Sequence, residues 1–101
     1  MVRYRYIFRV QDGHFDEVWA LCKKLNEINR AAGRSEFTFW KPMDGASNEL
    51  IVESEHPDRA TFQTEYDAFH ADPDALDTDE KLQGRVVEDS ERSELLETIE
   101  S

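Results

Sequence analysis

The chain has 101 residues, with 12 Lys and Arg against 23 Asp and Glu and a formal net charge of −11. That length makes one domain with a single core, near the size at which burial only just outweighs chain entropy. So acidic a chain is a poor partner for phosphate backbones, which are held by basic stripes, and no apolar run is long enough to cross a bilayer or serve as an export signal. The expectation is a single domain over residues 1–101 in the cytoplasm, with neither nucleic acid nor membrane as a partner.

Charge is unevenly spread. Residues 1–41 hold eight Lys and Arg against five Asp and Glu, whereas residues 42–101 hold four against eighteen. With only four lysines in the chain, the acidic excess also reads as a surface adapted to high salt, where screening weakens self-repulsion. The lone Cys22 has no partner for an internal disulfide and no CxxC spacing, so it reads as a small core hydrophobe.

The first element is "VRYRYIFRV". Val2, Tyr4, Tyr6, Phe8 and Val10 share one face of an extended segment and Arg3, Arg5, Ile7 and Arg9 the other, because side chains alternate along a strand. After the turn "QDGH", Phe15, Val18, Trp19, Cys22, Leu25, Ile28 and Ala32 recur at three- and four-residue steps, the stripe of an amphipathic helix that Gly33 closes. "SEFTFW" and "ELIVESE" predict two strands joined by the hairpin loop "KPMDGASN". "HPDRATFQTEYDAFHADP" predicts a second helix with Phe62, Tyr66 and Phe69 on its buried side, stopping before Pro73.

Pro73 can open a third helix, with Leu76, Leu82 and Val86 roughly on one side and an acidic outer surface. In the terminal "SERSELLETIES", Leu95, Leu96 and Ile99 suit a helix by spacing, while Leu95, Glu97 and Ile99 also share one face of a strand. Periodicity alone slightly favours the helix. No repeat, low-complexity tract or long linker divides the chain.

The order strand, helix, strand, strand, helix and a possible last strand is that of the ferredoxin-like α+β plan, an antiparallel sheet with its helices on one face. The aromatic side of the first strand, with Phe37, Phe39, Leu50 and Val52, then lies under the helices. The open face collects Arg3, Arg5, Ile7, Arg9, Thr38, Trp40, Ile51, Glu53 and Glu55. A face with Trp40 and two isoleucines among charges is too apolar for ordinary solvent surface and suits a sheet that meets its own copy.

Gly13, Asn29 with Gly33, Trp40 with Pro42 and Gly45, Val52 with Glu53, and Asp72 with Pro73 form a pattern that resembles the dimeric α/β-barrel superfamily. The likeness is nearest to small NIPSNAP-like and antibiotic-biosynthesis-monooxygenase-like uncharacterised members. The resemblance implies a βαββαβ chain whose terminal segment, roughly 93–100, is the fourth strand, with a helix over roughly 74–87. It implies a homodimer joined through the open sheet faces into one barrel, with small organic ligands in the clefts. It also implies varied functions, including cofactor-independent oxygenation of polyketide-like aromatics and haem degradation, so the fold alone does not choose an activity.

Arg3, Arg5 and Arg9 admit two readings. Lining a cleft, guanidinium groups would fork onto a carboxylate or enolate ligand; on a sheet beside Glu53 and Glu55 they would form cross-strand or cross-subunit ion pairs, and this second reading leads. Trp40 and Tyr6 could stack on an aromatic ligand, yet in so small a domain large aromatics more often anchor the core or an interface. His14, His56 and His70 each sit at the end of an element, none with the i, i+4 spacing of a helical metal site, so no metal is expected.

No glycine-rich phosphate loop is present, so no nucleotide cofactor is expected. The RNA-binding modules of the same element order need a basic, aromatic RNP pattern that this chain carries only in part. His70 remains an acid/base candidate, because haem-degrading relatives place a histidine on the second helix, although Tyr4, Arg5 and Tyr6 stand where those carry an asparagine. The expectation is a small-ligand-binding or auxiliary protein. The alternative is a cofactor-independent monooxygenase with His70 and Tyr6 as catalytic groups, and with Arg5 and Trp40 binding the ligand. An enzyme should have an apolar pocket with such polar groups pointing in, whereas a plain structural dimer should show Arg–Glu pairs and a filled lumen.

Overall fold

Tyrosine and phenylalanine alternating with arginine make Val2–Arg9 the first strand, β1, of the computed structural model, which describes residues 1–44 and 48–99. The chain continues as α1 (Phe15–Ala31), β2 (Thr38–Trp40), β3 (Glu49–His56), α2 (Arg59–His70), α3 (Pro73–Gln83) and β4 (Arg92–Glu97). The four strands form one antiparallel sheet in the order β2-β3-β1-β4, which is the ferredoxin-like α+β fold. Gly45 and Glu100, both part of the sequence reading, lie outside the described residues.

The register assigns the two faces. Tyr4 stands opposite Ser54, Tyr6 opposite Val52 and Phe8 opposite Leu50 on the helix side, while Arg5 faces Glu53 and Ile7 faces Ile51 on the other. Phe8, Val18, Cys22, Leu25, Leu50 and Leu82 form the heart of the core beneath α1 and α3. Val10 and Val86, joined by an isolated bridge, close its end.

Local chemistry ends each helix. Gly33 has φ +73° just beyond α1, a left-handed backbone that other residues rarely adopt. Asp58 caps α2 by accepting from the Thr61 N–H at 2.7 Å. Asp72 caps α3 by accepting from the Asp74 N–H at 3.0 Å, with Pro73 in the first turn, where its missing N–H costs nothing.

Three details differ from the sequence reading. The strand over "SEFTFW" shrinks to Thr38–Trp40, because Asn26 clamps Phe37 with its side-chain amide, accepting from the Phe37 N–H at 2.6 Å and donating to the Phe37 carbonyl at 2.9 Å. The third helix stops at Gln83 and not near 87, since Gly84 caps it and Val86 leaves to pair with Val10. Its buried side is Ala75, Thr78 and Leu82, with Leu76 40% exposed. The last segment, Arg92–Glu97, is the fourth strand that the resemblance implied, its pairing with β1 prevailing over its helical spacing.

Candidate functional site

A cavity of about 240 Å³ lies between the helix face of the sheet and the three helices. Its floor is built by alternation: Tyr4, Tyr6 and Phe8 project from β1, and Val52, Ser54 and His56 from β3. α1 contributes Cys22, Leu25 and Asn29, and α2 contributes an aromatic wall of Phe62, Tyr66 and Phe69. Tyr4 stacks on Phe62 with ring centroids 5.5 Å apart, and Phe37 meets Phe69 edge-on at 6.2 Å. Burial pushes the Cys22 thiol up to about 12, so it stays protonated and serves as apolar wall.

Polar groups reach this aromatic chamber at two ends. At one, the Tyr6 hydroxyl donates to Glu91 at 2.7 Å and receives from the Gln83 amide at 3.1 Å. Burial and the neighbouring Glu91 carboxylate hold the Tyr6 phenol protonated, well above its usual range. Tyr6 is therefore a hydrogen-bond donor and no phenolate base.

His70 lines the same chamber. Its Nδ1 donates to the Tyr66 carbonyl at 2.8 Å, which leaves Nε2 as the basic nitrogen of the neutral ring. Asp79 lines the wall with it. Burial raises the Asp79 carboxyl above its usual value; the Gln83 side chain and His70 oppose that rise and Glu91 adds to it. A carboxyl raised on folding favours the folded state while it is protonated and loses that contribution as pH climbs through its folded value. Asp79→Asn is accordingly expected to have a higher urea midpoint than the parent at pH 7. The gap should narrow as pH falls toward the unfolded carboxyl value of about 4, and an equal or lower midpoint at pH 7 would contradict the burial argument.

The other end holds groups that sequence reasoning passed over. His56 is 5% exposed and its Nε2 lies 2.9 Å from Ser54 Oγ. Glu65 Oε2 comes within 2.5 Å of His56 Nδ1, but off the direction of the ring N–H, so the contact is a close polar approach without an aligned hydrogen bond. Burial works against charge on Glu65, yet the Ser35 N–H and hydroxyl, at 2.9 and 3.0 Å, together with His56 hold its carboxyl below the usual range. Arg34 is held in place: Nε donates to Asn29 at 2.9 Å and Nη2 to Asp72 at 2.9 Å, with its guanidinium over Phe69.

Of the four residues singled out from sequence, the cavity brings Tyr6 and His70 together, while Arg5 and Trp40 stand on the opposite face of the sheet. Arg5 pairs there with Glu53 at 2.7 Å and with Glu94 at 3.4 Å, and Arg3 pairs with Glu55. Arg5 thus cannot steady an anion in this cavity, because the sheet lies between them. Among the described residues, no three His, Cys, Asp or Glu side chains converge as metal ligands, and no helix is long and apolar enough to cross a membrane.

Fold and cavity together define a ferredoxin-like α+β protein with an aromatic chamber between sheet and helices. No family model and no curated protein matches the chain. Among solved structures it is similar to a NIPSNAP domain protein from Burkholderia xenovorans, with 13% identity, 98% of this chain and 95% of that one covered, and a TM-score of 0.79. It is also similar to an antibiotic biosynthesis monooxygenase, with 14% identity, 99% and 100% coverage and a TM-score of 0.77. A NIPSNAP family protein from Agrobacterium tumefaciens matches at 12% identity, 97% and 92% coverage and a TM-score of 0.78. At these identities the likeness establishes the shared fold.

Proposed function

We propose that the cavity binds a small neutral aromatic molecule bearing a hydroxyl group. The observation that carries this reading is the chamber itself: ring-walled, with one polar group around Tyr6, Gln83 and Glu91 and another around Ser54, His56 and Glu65. At 240 Å³ it is smaller than the roughly 300–1,000 Å³ of drug-sized sites and larger than the roughly 150 Å³ that accepts benzene, so one or two rings fit. The charge balance argues for neutrality. Glu65, Asp79 and Glu91 are acceptors at the wall, while the one arginine there, Arg34, is already bound to Asp72. A carboxylate ligand would meet carboxylates; a phenol would find acceptors.

Titration with 1-naphthol and 1-naphthoate, followed by calorimetry, tests this. The phenol should saturate one site per chain and bind more tightly than the carboxylate. Tyr6→Phe, which removes one polar group from the cavity wall, should weaken the phenol about tenfold. Absence of saturable binding across a panel of one- and two-ring neutral aromatics would sink the reading.

The second reading is a cofactor-independent monooxygenase, and the basic Nε2 of His70 on an aromatic chamber favours it. His70 would take a proton from a bound phenol or activated ring carbon, with Tyr6 donating a hydrogen bond to the developing oxyanion. Oxygen uptake dependent on a bound aromatic, and lost in His70→Gln, would support it.

The open sheet face belongs in this proposal to a homodimer. Trp40 is 54% exposed on the β2 edge of that face, Leu96 is exposed on its β4 edge, and Arg5 pairs with Glu53 and Glu94 between them. A second copy of the same face would cover the tryptophan, and Arg5 and Trp40 would serve the subunit contact.

A further inference from the structure

Ser54, His56 and Glu65 meet in the wall of the cavity in an arrangement the ligand-binding reading does not require. Ser54 and His56 are two residues apart on β3 and so share its helix face, and Glu65 descends from α2. Ser54 Oγ lies 2.9 Å from His56 Nε2, and His56 Nδ1 lies 2.5 Å from Glu65 Oε2. With a carboxylate beside Nδ1, that nitrogen carries the proton and Nε2 accepts from the serine hydroxyl. Glu65 is in turn fixed by two donors from Ser35. A nucleophile, a base and a group that orients the base are thus in series, and all three line the chamber.

Packing alone does not call for this. Ser54 and His56 are each 5% exposed, and burying such polar groups is no more stabilising than filling the same volume with apolar side chains.

We infer that Ser54 is an activated nucleophile, with His56 as its general base and Glu65 as the positioning residue, and that the chamber accepts small aryl esters of carboxylic acids. The inference rests on the chamber being open to small aromatics and adds a reaction to it. Ser54 Oγ attacks the ester carbonyl while its proton passes to His56 Nε2. The bond to the aryl oxygen breaks, and His56 delivers that proton to the departing phenol, leaving an acyl-Ser54. Water then attacks the acyl carbon, gives its proton to His56, and releases the carboxylic acid as Ser54 recovers its hydrogen.

The test is to treat the full chain with diisopropyl fluorophosphate, in which the serine oxygen displaces fluoride from phosphorus, and to map the adduct by mass spectrometry. One adduct per chain on Ser54 is expected, accompanied by hydrolysis of p-nitrophenyl acetate. Prior addition of 1-naphthol should slow labelling. His56→Gln should lower the labelling rate at least 100-fold and Glu65→Gln at least tenfold, each checked for folding by circular dichroism. Labelling of the unmutated chain decides the matter even where a variant fails to fold. If that chain binds 1-naphthol but takes no label on Ser54, or if folded His56→Gln labels as fast, the nucleophile assignment is overturned while the ligand-binding reading stands. If Ser54 takes the label in a chain that binds no naphthol, the nucleophile stands and the ligand-binding reading falls.

Discussion

Phe8→Ala is expected to lower stability by about 3–5 kcal/mol, the cost of removing a wholly buried ring whose site cannot collapse. The phenylalanine is 0% exposed and sits in the middle strand pair, opposite Leu50 and beside Tyr6, whose ring centroid is 5.0 Å away. Neighbours from α1 and α3, including Val18, Leu25 and Leu82, belong to the same cluster, so sheet and helices both lose contacts. A domain of this size has about 5–15 kcal/mol in total, and the melting temperature should fall by roughly 15 °C or more. Because Phe8 also floors the cavity, the variant should bind naphthol poorly even where it remains folded. Leu76→Ala, on the outer side of α3, provides the contrast and should shift the melt by no more than a few degrees, about 0.5 kcal/mol. Equal losses at the two positions would contradict the placement of the core.

Arg5→Glu is the second large effect. It leaves Glu53, whose side chain is only 11% exposed, without its partner and sets a third carboxylate between Glu53 and Glu94. Breaking a buried pair by removing one member costs about 3–5 kcal/mol, and the partial exposure of Arg5 puts this case near the lower end. Light scattering on a size-exclusion column, at low and at molar salt, reads the assembly. The parent should elute as a dimer and Arg5→Glu as a monomer, with molar salt partly relieving the repulsion among the three carboxylates. The exchange Arg5→Glu with Glu53→Arg should recover part of the urea midpoint, since Glu94 still faces a carboxylate at position 5, and so separates lost folding from lost association. A monomeric parent, or a folded Arg5→Glu that stays dimeric, would remove the arginine row from any subunit contact.

How far the sequence could be read depended on whether partners lay within one periodic pattern. The Arg–Glu pairing of β1 with β3 was legible because Arg3 and Arg5 share a face and so do Glu53 and Glu55. Glu94 was not legible, since its place beside Arg5 follows from the register of β4, and the terminal segment had two periodicities. The end of α3 was misplaced because Val86 continues a helical spacing although Gly84 has already capped the helix. Tyr6 and His70, singled out as a strand-face aromatic and a histidine of the second helix, both line the cavity.

His56 and Glu65 were missed for a different reason. Next to Pro57 the histidine reads as a strand end, and Glu65 is one of 23 acidic residues. Only the packing of α2 over β3 turns the two into neighbours. The available signal was the pair Ser54 and His56, two polar residues on the strand face that also carries Leu50 and Val52. On a face meant for the core, such a pair asks for partners.

The aromatic wall has a mechanical consequence. α2 buries none of its residues fully, so swinging it outward wets rings that are already partly wet and leaves the hydrogen-bonded sheet untouched. Such an opening draws on a small fraction of the global unfolding free energy. On the proposed function, an occupant of the cavity would favour the closed position of the helix by mass action. The contacts from Glu65 to β3 and to Ser35, and from Asp72 to Arg34, are the ones such an opening would have to break or pivot about.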